Sequence, residues 1–261
     1  MYEAFWGLKE KPFENSPDPR YLYPAAEHAQ ALELLTYAVQ AHKGGALLTG
    51  DYGCGKTLLI RVLVQDLIKD GVQPAVINYP KLTAAELLRD VLFQLDHDLR
   101  SNSRLKLTRA IGEALHENLR AGKHTVLIVD EAQVIERKSI LEELRLLLNY
   151  QLSDRFLLTL LLAGQPELRE RVAALPQLEQ RLGVRAHLHT FDLVDTARYI
   201  DYRLSVAGAS RTLFTQEAIE SIYHRSYGCP RRINNLGDLC LWTGFQRKVS
   251  EIGADIAESV A

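Results

Sequence analysis

Residues 50–57 read GDYGCGKT and carry the strongest chemical signal in the chain. They fit the pattern G-x-x-x-x-G-K-[ST], which binds nucleotide phosphates when it joins a strand to a helix. Glycines let the backbone N–H groups of such a loop turn inward, and the N-terminus of the following helix attracts anions. Lys56 is predicted to reach the β- and γ-phosphates, and Thr57 to place its hydroxyl on Mg²⁺. The predicted nucleotide contacts in this segment are Gly50, Gly53, Cys54, Gly55, Lys56, Thr57 and Leu58.

The second chemical element is an acidic pair, Asp130 and Glu131, which follows the apolar run TVLIV. The run predicts a buried strand, and ligands of open α/β sheets gather beyond the carboxyl ends of the strands. We expect Asp130 to hold Mg²⁺ and Glu131 to polarise the attacking water as a general base. A strand that merely ends in acidic residues is the alternative, but the accompanying phosphate loop favours the functional interpretation.

Three further residues are candidates for the hydrolytic site. Gln165 follows the apolar run LLLAG, where a polar side chain can touch the γ-phosphate or the water, although it could simply precede the helix that Pro166 starts. Arg181 and Arg185, in LEQRLGVR, flank a predicted helix–strand junction. An arginine supplied to a neighbouring subunit stabilises charge in the transition state. Arg181 is the stronger candidate of the two, and a surface salt bridge is the alternative role.

Arg231 is the last candidate, in the segment GCPRRIN. Pro230 suits the first turn of a helix, so Arg231 should lie at a helix N-terminus, where the helix dipole disfavours a cation. A nearby phosphate would explain this placement. Arg231 is therefore predicted to sense the γ-phosphate.

The elements that must position these residues alternate between strands and helices up to about residue 192. Continuously apolar strands separated by helices predict an α/β fold with a parallel sheet covered on both faces. After residue 192 only helices are predicted, and residues 1–24, rich in proline and aromatics, should form an extended arm. The predicted strands are 46–49, 74–79, 125–129, 156–163 and 185–190; the predicted helices are 25–41, 56–69, 84–98, one ending near 122, 139–150, 167–174, 178–182, 194–207, 216–227 and 231–248.

Composition and charge limit the class of protein and the cellular compartment that we expect. The 261 residues are 47% hydrophobic and have a net charge of −2, which is ordinary for a globular protein and neither requires nor excludes nucleic acid. No signal peptide or membrane-spanning run is evident, and three cysteines argue for a reducing compartment. We therefore expect a cytoplasmic protein. Cys54 and Cys229 could form a redox switch, but small unreactive core residues are the simpler interpretation.

Taken together, GDYGCGKT, VDEAQ, AGQPEL, LEQRLGVR and GCPRRIN resemble an AAA+ ATPase in order and spacing. The N-terminal segment WGLKEKPFENSPDPRYLYPAAEHAQALELLTYAV resembles the general secretion pathway A (ExeA/GspA-type) ATPase domain and its relatives in pilus biogenesis and exopolysaccharide export. The resemblance implies a five-stranded P-loop core of order 5-1-4-3-2 and a helical lid. It also implies ATP bound between subunits of a ring or filament, with Pro19–Tyr23 near the adenine. The expected division is an arm at 1–24, a core at 25–192 and a lid at 193–261.

Several functions remain open at this point. The resemblance favours a homo-oligomeric ATPase that drives assembly of a secretion, pilus or polysaccharide-export machine and meets the inner membrane through a partner. The alternative is a DNA-binding ATPase regulator of transposition (TniB/TnsC type). Slow hydrolysis that only times assembly, or a P-loop kinase, would also use the phosphate loop. The alternative that involves DNA rests on the ancestry that the resemblance implies and on basic residues in the C-terminal region. These residues are Arg203, Arg211, Arg225, Arg231, Arg232, Arg247 and Lys248.

Overall fold

A computed structural model describes residues 1–260 and contains one parallel five-stranded sheet. The strand order is β2-β3-β4-β1-β5, which read from the other edge is the order 5-1-4-3-2 that the resemblance implied. The expected fold class is therefore confirmed. The strands are β1 (Gly45–Gly50), β2 (Gln73–Ile77), β3 (Thr125–Val129), β4 (Leu158–Gly164) and β5 (Val184–Leu188).

The three inner strands are buried at every position, whereas β2 and β5 at the edges are partly exposed. Continuous burial explains why the inner strands lack polar alternation, since helices cover both faces of such a sheet. Leu127 of β3 pairs in register with Leu160 of β4, and Leu47 of β1 pairs with Leu162 of β4. β4 begins two positions later than predicted, because Phe156 forms an isolated antiparallel bridge with Gln151.

Two helices of this part of the chain, α4 and α5, begin at side-chain caps. Thr83 and Glu86 form a capping box at the start of α4, and Ser103 caps α5. α4 ends four residues before the predicted position, since Leu95 caps it and Asp96 adopts a φ of 64°. The helices are α1 (Glu3–Trp6), α2 (Ala26–Gln40), α3 (Lys56–Lys69), α4 (Ala84–Gln94), α5 (Arg104–Arg120), α6 (Lys138–Leu147), α7 (Glu167–Ala173) and α8 (Pro176–Glu179), with 3₁₀ turns at Pro19–Tyr21 and Ala132–Val134.

Beyond β5, the described residues form no further strand and are largely helical. Thr215 caps α10 as predicted, its hydroxyl accepting the N–H of Ala218 at 3.3 Å. In the part of the chain that the structure describes, no helix has the length and apolar character needed to cross a bilayer. The helices of this region are α9 (Leu193–Val206), α10 (Gln216–Ser226), α11 (Pro230–Arg247) and α12 (Ala254–Ser259).

The chain divides into two compact units. One consists of residues 29–50 and 60–188 and contains the sheet. The other combines residues 1–28, the loop and helix start at 51–59, and the described residues from His189 onward. The expected division into arm, core and lid stays a prediction.

The N-terminal arm packs on the C-terminal helices of its own unit. Trp6, Phe13 and Tyr21 are buried, and the Trp6 indole donates to the Leu241 carbonyl at 2.9 Å. The sequence analysis did not predict the two short helical turns within this arm, at Glu3–Trp6 and Pro19–Tyr21. Arg203 is also buried here and donates to the Pro12 and Glu14 carbonyls, at 2.5 and 2.9 Å, so it is not part of an exposed basic face.

Candidate functional site

The phosphate loop follows β1 directly and leads into α3, the strand–loop–helix context that its sequence pattern requires. Gly53 and Gly55 have φ angles of 83° and 95°, a region that residues with a Cβ rarely adopt. Lys56 begins α3 and is 6% exposed. Its ammonium donates to the Asp51 carbonyl at 2.8 Å, which ties the two ends of the loop together. The backbone therefore has the tight turn with left-handed glycines that the predicted phosphate loop requires.

His28 supports this loop and was not identified from the sequence. Its Nε2 lies 2.9 Å from the Cys54 carbonyl, and its ring packs 5.5 Å from that of Phe191. Burial lowers the pKa of His28, so the ring is neutral at pH 7. Nε2 must carry the proton, because a carbonyl only accepts; Nδ1 has no hydrogen-bond partner within residues 1–260.

The consequence of this contact follows from peptide geometry. In a trans peptide the C=O and the next N–H point in opposite directions. Fixing the Cys54 carbonyl on His28 therefore directs the Gly55 N–H to the other side of the loop backbone. A lone histidine on a helix gives no local signal of such a role, which explains why sequence reasoning missed it.

The structure brings Arg231 to the same loop. Cys229 directly precedes α11, Pro230 occupies its first turn as expected, and the Arg231 N–H donates to the Gly53 carbonyl at 3.3 Å. The Arg231 guanidinium carbon lies 4.5 Å from the centre of the Tyr52 ring. Two segments far apart in sequence thus meet within one unit.

The two cysteines of this region are free thiols and are buried. Burial raises the pKa of the Cys54 thiol to about 12, which keeps it protonated and unreactive at neutral pH. This favours the interpretation of Cys54 as a small core residue over a redox switch.

The other predicted catalytic residues belong to the unit that contains the sheet. Asp130 follows β3, is 3% exposed, and donates its backbone N–H to the Ile77 carbonyl at 2.9 Å. Its carboxylate accepts the Glu131 N–H at 2.8 Å. Glu131 has a φ of 52°, a left-handed conformation that is uncommon for a residue with a side chain. Strained backbone of this kind concentrates at functional sites.

Gln133 joins two of the predicted residues and was missed by the sequence analysis. Its Nε2 donates to the Glu131 carboxylate at 2.5 Å, while its Oε1 accepts the Gln165 backbone N–H at 3.1 Å. The backbone N–H can only donate, so the orientation of the amide is settled. Gln133 thereby links the acidic pair after β3 to the end of β4. The available signal was its place two residues after Glu131 in VDEAQ.

The two candidate arginines differ in their surroundings. Arg181 is half-buried, and its guanidinium donates to the Leu148 carbonyl at 2.7 Å and to the Asn149 side chain at 3.0 Å. Arg185 is exposed and forms a 3.0 Å ion pair with Glu179. Exposed ion pairs of this kind contribute little to folding stability, so the Arg185 side chain can leave Glu179 at little cost. Action of either residue on a neighbouring subunit stays a prediction.

Tyr23, which the resemblance placed near the adenine, lies in an aromatic cluster of the unit that holds the phosphate loop. Its hydroxyl donates to Asp195 at 3.1 Å, and its ring meets that of Phe191 edge-on at 5.7 Å. Burial raises the pKa of Tyr23, so its hydroxyl remains a donor. Its contact with adenine, like that of Leu58 with the nucleotide, stays a prediction.

Comparison with known proteins agrees with this geometry. The family model described as AAA domain matches residues 39–172, more than half of the chain. The chain belongs to the AAA domain family. The General secretion pathway protein A of Aeromonas hydrophila is 41% identical over 251 residues, which cover 95% of this chain and 45% of that protein. The chain thus spans less than half the length of this relative.

Solved structures show the same fold at low identity. The Aeropyrum pernix ORC2 protein in its ADPNP–ADP complexes has a TM-score of 0.74 at 18% identity, over 97% of this chain and 71% of that one. Drosophila ORC bound to DNA has a TM-score of 0.73 at 17% identity, over 95% and 63%. A Thermotoga maritima RuvB motor has a TM-score of 0.61 at 20% identity, over 89% and 67%. Membership in the AAA domain family supports nucleotide binding and ATPase activity.

Proposed function

We propose that this chain is a Mg²⁺-dependent ATPase that works as a homo-oligomer in assembling a secretion, pilus or polysaccharide-export machine. The observation that carries the ATPase part is the phosphate loop, in which glycines with positive φ lead into a helix headed by the buried Lys56. Backbone donors, a helix N-terminus and an ammonium group together match a triphosphate.

The residues for hydrolysis end neighbouring strands. Gly50 ends β1, Gln165 follows β4 and Asp130 follows β3, and these three parallel strands are adjacent in the sheet. Oxygen ligands suit Mg²⁺, and we propose that Thr57 and Asp130 hold it. When bound, Mg²⁺ neutralises charge on the phosphates. Glu131, steadied by Gln133, would then accept the proton of the attacking water.

The pathway is proposed from the similarity to General secretion pathway protein A of Aeromonas hydrophila. The DNA-binding alternative loses part of its support, since Arg203 is buried and cannot contribute to an exposed basic face. The association with the inner membrane through a partner, and the ring or filament form, belong to the same proposal.

Phosphate release from ATP without any added acceptor would test the reaction and would exclude a kinase. We expect Lys56→Ala to abolish nucleotide binding and Glu131→Gln to bind ATP without turnover. Turnover per chain should rise with protein concentration if Arg181 acts on a neighbouring subunit. A Glu131→Gln variant that hydrolyses ATP at the wild-type rate would contradict the assignment of the base.

Assembly and DNA binding need separate measurements. Cells that carry Glu131→Gln should fail to assemble the machine if hydrolysis drives it. Assembly equal to that of the wild type would instead favour a scaffold that only binds nucleotide. DNA affinity with ATP, measured at several salt concentrations, should show no steep salt dependence; a strongly negative slope would favour the DNA-binding alternative.

A further inference from the structure

Tyr52 occupies a position of the phosphate loop that the motif leaves free. In GDYGCGKT it is one of the variable residues, and phosphate binding by backbone donors does not require an aromatic side chain there. Its side chain is nevertheless large and 62% exposed. An exposed tyrosine at the tip of a ligand-binding loop calls for another explanation.

The Arg231 guanidinium lies over the Tyr52 ring. The guanidinium carbon of Arg231 lies 4.5 Å from the ring centre, well inside the roughly 6 Å within which a cation is attracted to an aromatic face. Nη1 of Arg231 also donates a hydrogen bond to the Tyr52 hydroxyl. Both the face and the hydroxyl of the tyrosine therefore engage the one arginine that is predicted to sense the γ-phosphate.

The backbone around this pair is tied down independently of the two side chains. The Arg231 N–H donates to the Gly53 carbonyl, and the Cys229 thiol donates to the Tyr52 carbonyl, both at 3.3 Å. A Cβ at Gly53 would lie 2.9 Å from the Arg231 Cβ and from the Cys229 sulfur, so this close approach needs glycine. The start of α11 is thus fixed against the phosphate loop by backbone and thiol contacts. The contacts described for the Arg231 guanidinium, by contrast, all involve Tyr52.

We propose that Tyr52 holds Arg231 in a resting position and competes with the γ-phosphate of ATP for its guanidinium. This inference rests on the proposed function. ADP has no γ-phosphate and leaves the stacked pair in place, whereas ATP must draw Arg231 away from the ring. While Arg231 is stacked on Tyr52, it cannot contact the γ-phosphate. The apparent affinity for ATP is therefore reduced in proportion to the fraction of molecules in which Arg231 is free of the ring, whereas the affinity for ADP is not.

The test measures dissociation constants of ADP and of a non-hydrolysable ATP analogue for the whole chain by titration calorimetry. Tyr52→Leu should tighten analogue binding about 2- to 5-fold, the equivalent of an exposed cation–π contact, and leave ADP binding unchanged. Tyr52→Phe keeps the ring and loses only the hydroxyl, so it should give a smaller change in the same direction. In an Arg231→Ala background, Tyr52→Leu should no longer change the ratio of the two constants.

Three results would overturn the inference. These are an equal shift for both nucleotides, weaker binding of the analogue by Tyr52→Leu, and a ratio change that persists without Arg231. ADP binding by each variant shows that it is folded. A wild-type chain that binds neither nucleotide would instead refute the proposed function itself, so the two failures are distinguishable.

Discussion

Replacing Gln133 by methionine tests how the base of the proposed reaction is positioned. The two side chains have similar length and volume, but methionine cannot donate to the Glu131 carboxylate, now bonded at 2.5 Å. Its thioether is also a much weaker acceptor for the Gln165 N–H, now bonded at 3.1 Å. Glu131 would lose a charge-assisted hydrogen bond from a half-buried partner. Its carboxylate would then sample orientations that do not face the water.

The size of the effect follows from this bond. A hydrogen bond to a charged group contributes about 1.5–3 kcal/mol. If the correct orientation is needed mainly in the transition state, the loss appears in kcat, which should fall roughly 10- to 100-fold, since each ~1.4 kcal/mol is a factor of ten in rate. Nucleotide affinity should change little, because Gln133 is not among the predicted phosphate contacts.

Steady-state phosphate release measures kcat, and titration with ADP measures nucleotide affinity, so the two effects can be told apart. Gln133→Glu is the matched control: it keeps the side-chain length and an acceptor for the Gln165 N–H, but places a like charge against Glu131 and should lose as much turnover as Gln133→Met. In a Glu131→Gln background, Gln133→Met should have no further effect. An unchanged kcat in Gln133→Met would refute this reasoning.

Three other perturbations test the remaining assignments. Arg181→Ala should abolish turnover, leave ATP binding largely intact and lower the melting temperature, because two hydrogen bonds to the end of α6 are lost; if Arg185→Ala is the inactive variant instead, the assignment is wrong. His28→Phe should weaken ADP binding about tenfold, as a hydrogen bond that orients the phosphate loop disappears, and unchanged calorimetric affinity would contradict this role. Burial and the adjacent His42 lower the pKa of His124 to about 4, so from pH 6.5 down to 4 the unfolded chain binds a proton that the folded chain does not. Stability should fall with falling pH over that range, by at most ~1.4 kcal/mol per pH unit, and denaturant titrations should find a smaller slope for His124→Gln; an equal slope would assign it to other groups.

The phosphate loop and the strand ends could be predicted from the sequence because each depends on a short, continuous stretch of residues. The glycine spacing of GDYGCGKT, an apolar run before it and a helix after it specify one turn, and the structure places positive φ at Gly53 and Gly55. The apolar run before Asp130 likewise predicted a buried strand, since a strand covered on both faces needs no alternation of polar residues, and β3 is buried at every position. The strand order came from the family resemblance and not from any residue pattern.

The tertiary structure decided which distant side chains meet. Gln133 reaches a backbone group 32 positions away, and Tyr52 meets an arginine 179 positions away. Arg203 is a further example: the sequence analysis counts it among the basic residues that could bind DNA, but the structure buries it beneath the N-terminal arm. No local pattern encodes such contacts, because they depend on how whole elements pack. The sequence by itself thus determined the fold class and the loop that should bind phosphate, whereas packing determined the residues that hold that loop, the predicted base and Arg231 in place.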